Sequence, residues 1–261
     1  MQSPLLILFC SIGLLLSSTL NASETTSNAA HLHQLRLSLQ GSLGDFYLLY
    51  GVDTDPAHSQ SIDHYLTLAN AHLLMLGETV DPTHASALEK IRQQWRAYTD
   101  LLGQLSTQVQ AQGDVDGRSI AELIRLNSQL DAACATFATS LPAPPADTAL
   151  AQRGRSLELL LQSLTTSYIA YNVGANTLGG DGQGIDQLTE QFTSGLTQLR
   201  DNAQSADDLS RLGDIQSKWR YIEPSLRAYQ KTAIPSLVSR YSARIIEDMA
   251  QLQLAEQTPT P

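Results

Sequence analysis

The side chains able to do chemistry are few and unevenly spread. All six histidines fall in the first third of the chain: His31, His33, His58, His64, His72 and His84. No two of them are four residues apart on one helical face. His31-Leu-His33 is the tightest cluster, with spacing for weak metal binding or for solvated side chains at a helix start. No Glu-x-x-His occurs, so a ferritin-like di-iron bundle has no ligand set. Cys-x-x-Cys-His and Gly-x-Ser-x-Gly are also absent, which removes c-type haem attachment and a hydrolase nucleophile elbow. The glycines of Gly179–Gly184 lack a following Lys-Ser/Thr and read as a helix connection, not a phosphate loop. No catalytic constellation, metal site or cofactor is expected.

Arginine is the remaining candidate. The guanidinium fork suits bidentate recognition of planar anions. Arg36 opens one helix, and Arg153-Gly-Arg155 opens a later one of the same kind. The choice at these positions lies between an anion site and surface salt bridges.

Charge and composition bound the function classes. The net charge of −10, from 16 basic and 26 acidic residues, argues against nucleic acid, which needs a basic footprint. Two cysteines rule out a disulfide scaffold and a four-cysteine metal site. The apolar run Pro4–Leu16, followed by small and polar residues to Ala22, predicts a signal peptide over 1–22. Export would leave Cys134 as the single cysteine of a periplasmic chain that does not span a membrane.

The elements that carry these residues repeat. Leu88, Ile91, Trp95, Tyr98, Leu102, Leu105 and Val109 step by three and four, one apolar stripe on a helix. Shifted by 124 residues, the stripe returns as Leu212, Ile215, Trp219, Ile222, Leu226, Tyr229 and Ala233. These stripes hold the only two tryptophans. The preceding helix repeats too: Ile62, Tyr65, Ala69, Leu73 and Leu76 match Ile185, Leu188, Phe192, Leu196 and Leu199. One helix earlier, Leu39, Leu43, Tyr47 and Tyr50 match Leu160, Leu164, Tyr168 and Tyr171. Each copy therefore predicts four helices, near 30–51, 58–78, 82–111 and 117–139, then 147–175, 184–203, 206–230 and 232–254. Asp81 and Ser205 are expected as N-caps and Ser119-x-x-Glu122 as a capping box. Pro224 should kink or break its helix near Glu223.

Four amphipathic helices bury their stripes against one another. The fold expected is all-α: two tandem antiparallel four-helix bundles, 23–140 and 147–256, joined by a Pro-rich linker at 141–146. Residues 257–261 should form a disordered tail. Trp95, Trp219, Tyr47 and Tyr168 are the expected core anchors.

The pattern resembles the PilJ-type domain, the N-terminal sensory domain of type IV pilus methyl-accepting chemotaxis transducers, related to the periplasmic sensor of nitrate/nitrite histidine kinases. Arg153-Gly-Arg-Ser-Leu-Glu-Leu-Leu-Leu-Gln-Ser163 with Tyr168 and Trp219 is similar to one such domain. Leu35-Arg-Leu-Ser-Leu-Gln40 with Tyr47 and Trp95 is similar to a second. Both motifs are degenerate: Leu157 and Glu158 stand where the family has Arg-Met. The resemblance implies a sensory or ligand-binding module without its own output domain, not an enzyme. It also implies a small anionic ligand near Arg36, Arg153 and Arg155, a membrane receptor or kinase ectodomain as partner, and the two first helices side by side. The alternatives are a structural envelope or pilus-associated helical protein without ligand, and a metal-binding bundle using the first-copy histidines.

Overall fold

The computed structural model describes residues 17–141, 149–178, 184–203 and 205–256, with side chains described from Asn28 to Leu252 in these segments apart from residues 149 and 150. Most of the expected signal peptide, the linker from Pro142 onward, the glycines at 179–183 and the expected tail lie outside these residues.

The chain is all-α. The described residues form eight α-helices and no strand: α1 (Ser17–Gly51), α2 (Pro56–Thr79), α3 (Ala85–Gln112), α4 (Gly117–Ser140), α5 (Ala149–Asn172), α6 (Ile185–Asp201), α7 (Ala206–Arg227) and α8 (Pro235–Glu256). Among the described residues, no helix is long and apolar enough to cross a membrane. Helix α1 already includes residues 17–29, ahead of the expected start near residue 30, and no Pro or Gly interrupts it there.

The ends follow local chemistry. Asp81 accepts from Thr83 N at 2.8 Å and caps a 3₁₀ turn, Pro82–His84, that leads into α3. Ser205 caps α7 by accepting from Asp208 N at 3.0 Å. The cap of α4 is Asp116, not Ser119: the Asp116 carboxylate accepts from Ser119 N at 3.0 Å and from its hydroxyl at 2.6 Å. Glu122 is thereby left to pair with Arg125 on the exposed face. Helix α7 continues through Pro224 to Arg227 and does not break near Glu223. It still ends three residues later, so Tyr229 and Ala233 fall beyond it.

The stripe of α3 is buried along its whole length, from Leu88 to Val109. That of α7 is buried from Leu212 to Leu226. The two tryptophans repeat in their contacts as well as their positions. Trp95 Nε1 donates to Asn70 Oδ1 in α2 at 2.8 Å. Trp219 Nε1 donates to Thr193 Oγ1 in α6, the equivalent position, at 3.2 Å.

Packing partners follow from side-chain pairs. Helix α1 lies against α2, α3, α4 and α5, while α5 lies against α1, α6 and α8. The α1–α2 pair is antiparallel, since Asn28 meets Thr79 and Asp45 meets Ser61. Helices α1 and α5 run parallel: His33 meets Glu158, Gln40 meets Thr166 and Gly51 abuts Val173. Glycines permit this approach. A Cβ at Gly44 would lie 3.2 Å from Thr166 Oγ1, and one at Gly51 would collide with Val173. Covered from several sides, α1 buries Leu32, Leu37, Leu39 and Leu48 alike, as a helix apolar all round must. The buried side chains form one cluster that runs from Leu32 to Leu252 through both halves of the chain.

Candidate functional site

The parallel α1–α5 seam holds two cavities. The first, about 470 Å³, sits where the middle of α1 and the start of α5 meet the end of α4, and is lined by His33, Arg36, Thr139, Gln152, Arg155 and Ser156 among others. The second, about 560 Å³, lies further along between α1, α4 and α5, beside Gln40, Tyr47, Asn127, Ser163, Thr166 and Tyr171. The side chains lining the second cavity are uncharged among the described residues.

The first cavity gathers two of the three arginines singled out by sequence. Arg36 lines it, but its fork is occupied. Nε and Nη2 donate to Asp131 Oδ1 and Oδ2 on α4 at 2.8 and 3.0 Å. Burial alone would lower the Arg36 pKa; the hydrogen bond and charge of Asp131 outweigh it and raise it. Arg36 is thus a clamp between α1 and α4. Arg155 is half-buried and makes no hydrogen bond or ion pair among the described residues. Burial presses its guanidinium below the ordinary value, opposed by the charge of Glu158, and it stays cationic. Arg153 is exposed and does not line the cavity.

On the wall itself, His33 makes a pair that sequence spacing could not show. His33 Nε2 donates to Glu158 Oε2 at 2.6 Å, with 6% and 1% of the side chains exposed. It joins α1 to α5 across 125 residues. A carboxylate this buried needs such a partner, because an unpaired buried charge is costly. At the repeat shift of 121, Leu157 occupies the place of Arg36, so the two sides of the seam are chemically unlike.

The aromatic anchors sit in the core. Trp95, Trp219 and Tyr47 are each 3% exposed and Tyr168 is fully covered. Tyr168 donates to Thr232 O at 2.8 Å and accepts from Ile234 N at 3.1 Å, which fixes the α7–α8 connection on α5. Burial raises the pKa of both tyrosines, so their hydroxyls stay protonated.

The histidines spread over three elements. His58 pairs with Asp53 at 3.0 Å, and His84 stands edge-on to Phe137. His31 and His33 point to different partners: His33 goes to α5, while His31 meets His72 on α2. No group of three or more His, Cys, Asp or Glu gathers among the described residues. No protein-family model, curated protein or solved structure matches the chain.

Proposed function

We propose that this chain is an exported, periplasmic sensory or ligand-binding module, made of two tandem PilJ-like antiparallel four-helix bundles, 23–140 and 147–256. It hands its signal to the ectodomain of a membrane receptor or kinase. The observation that supports this reading is the cavity along the parallel α1–α5 seam, with the half-buried guanidinium of Arg155 on its wall, hydrogen-bonded to none of the described residues. The parallel packing of α1 on α5 supports a pseudo-dimer within one chain. An anion bound there touches both α1 and α5 and resists their relative displacement.

The ligand class is a small oxyanion or carboxylate, because a guanidinium favours planar acceptors. Thermal melts with nitrate, phosphate, sulfate and acetate at constant ionic strength test it. A bound anion at 100 times its Kd adds about 2.7 kcal/mol. That corresponds to a rise of roughly 5–11 °C for a chain of this size. Arg155→Gln should abolish the rise, whereas Arg153→Gln should keep it. Equal rises in the parent and Arg155→Gln, or none with any anion, would remove the reading.

A further inference from the structure

His31 Nδ1 and His72 Nδ1 lie 2.9 Å apart across the antiparallel α1–α2 seam. Their ring centroids are 5.2 Å apart and the rings are tilted by 41°. At this separation one ring donates through Nδ1–H and the other accepts, which requires an unprotonated nitrogen. Burial lowers the pKa of both rings, and the charge of His31 lowers that of His72 further. The accepting ring thus presents an unprotonated nitrogen, the form in which a histidine ligates metal.

We propose that His31 and His72 form a two-histidine site for a borderline divalent transition metal ion, with zinc as the type case. The spacing carries the argument. Two imidazoles on a tetrahedral zinc ion, with Zn–N of about 2.0–2.1 Å, place their nitrogens about 3.3 Å apart and their ring centroids about 5.2 Å apart. The observed centroid separation already has that value. Only a tilt of each ring, opening the nitrogens by about 0.4 Å, admits the ion between them. The donor ring moves its proton from Nδ1 to Nε2, a change of tautomer that leaves both rings neutral.

The scaffold holds the rings in place. Along the same seam, Asn28 Nδ2 donates to Thr79 O at 3.5 Å, and Thr79 Oγ1 donates to Asn28 Oδ1. This pins α1 to α2 beside the pair. Both histidines are half-buried, so water can reach the ion and complete its coordination. The site lies on the α1–α2 seam, apart from the Arg155 cavity, and does not depend on the anion reading.

Tag-free full-length protein, histidine-labelled with ¹⁵N, is titrated with zinc chloride and followed by calorimetry and by imidazole resonances. One zinc per chain is expected, with the Nδ1 resonances of His31 and His72 shifting together and those of the other four histidines unmoved. His31→Gln and His72→Gln should each weaken binding by about tenfold or more, since even indirect metal partners are worth that much. His64→Gln, on the exposed face of α2, should bind as the parent does. Magnesium, which prefers oxygen ligands, should not compete. Absence of zinc binding up to about 1 mM, equal binding by the parent and both glutamine variants, or shifts confined to other histidines would each overturn the proposal. The labelled parent identifies the ligands even if a variant folds poorly.

Discussion

The chain holds one tryptophan in each sequence repeat, and this makes the continuity of its core measurable. Trp95 and Trp219 are each 3% exposed. An indole buries on the order of 200 Å², a gross contribution of about 5 kcal/mol at 25 cal/mol per Å². Truncation to alanine in a core that relaxes only in part costs about 3–5 kcal/mol. For a chain of this length that lowers Tm by roughly 6–20 °C. Trp95→Phe is milder, because a six-membered ring stays in the core while the pyrrole part of the indole is lost with its N–H bond; exposed Asn70 then turns to water. The cost is about 1–3 kcal/mol. Trp95→Phe also leaves Trp219 as the sole indole, so its fluorescence follows one half while circular dichroism follows both. Since the buried cluster runs unbroken through α1 and α5, urea unfolding by the two probes should coincide. Trp219→Phe should give the mirror result. Midpoints separated by more than about 0.5 M urea would refute the continuous core. A near-zero effect of Trp95→Ala or Trp219→Ala would refute the burial itself.

Three other perturbations probe separate features. Gly103→Ala, with open space around its Cβ in the α3 interior, should stabilise by about 0.5–1 kcal/mol. Gly41→Ala should destabilise by about 1–3 kcal/mol, because its Cβ would lie 2.5 Å from Tyr65 Cζ; urea melts that rank the two alike would contradict the packing. Burial raises the pKa of Asp45, against the Ser61 hydrogen bond and the His58 charge, so the folded chain holds that proton more tightly than the unfolded one. Its contribution is full below the ordinary Asp range and is lost as pH rises through the raised value. Asp45→Asn keeps an acceptor for Ser61, so it should flatten that fall and exceed the parent in stability at pH 7; parallel pH–stability curves would count against it. Burial, with the Asp131 charge and against that of Arg36, pushes the Cys134 thiol up to about 12. Ellman's reagent at pH 8 should therefore label it only as fast as the chain opens, and prompt labelling of native protein would disprove this.

Much of the helical framework was legible because local signals agreed with burial. The steps of three and four in α3 named each of its seven buried residues. Asp81 and Ser205 announced helix starts through their own backbone bonds. Helix α1 was less legible. Its stripe of Leu39, Leu43 and Tyr47 describes one face, but α5 covers another, which Leu32, Leu37 and Leu48 help fill. The apolar residues on several faces were the available signal. The candidate sites were hidden for a different reason: they join residues that no spacing relates. Arg36 to Asp131 spans 95 residues, His33 to Glu158 spans 125 and His31 to His72 spans 41. Antiparallel pairing of α1 with α2 brings His31 toward His72, whereas same-helix spacing gives only His31 and His33, whose rings go to different neighbours. Arg36 looked available for an anion until the fold set Asp131 opposite it.

The unlike sides of the α1–α5 seam have a consequence for stoichiometry and direction. In a seam between two identical chains, every substitution appears twice and any pocket off the axis has a twin. Here Arg36 faces the seam from one side while Leu157 holds the corresponding place on the other, and both belong to a single polypeptide. An anion at the proposed Arg155 site would therefore have one such seat per chain and one way round, and would need no second copy of the chain to complete it.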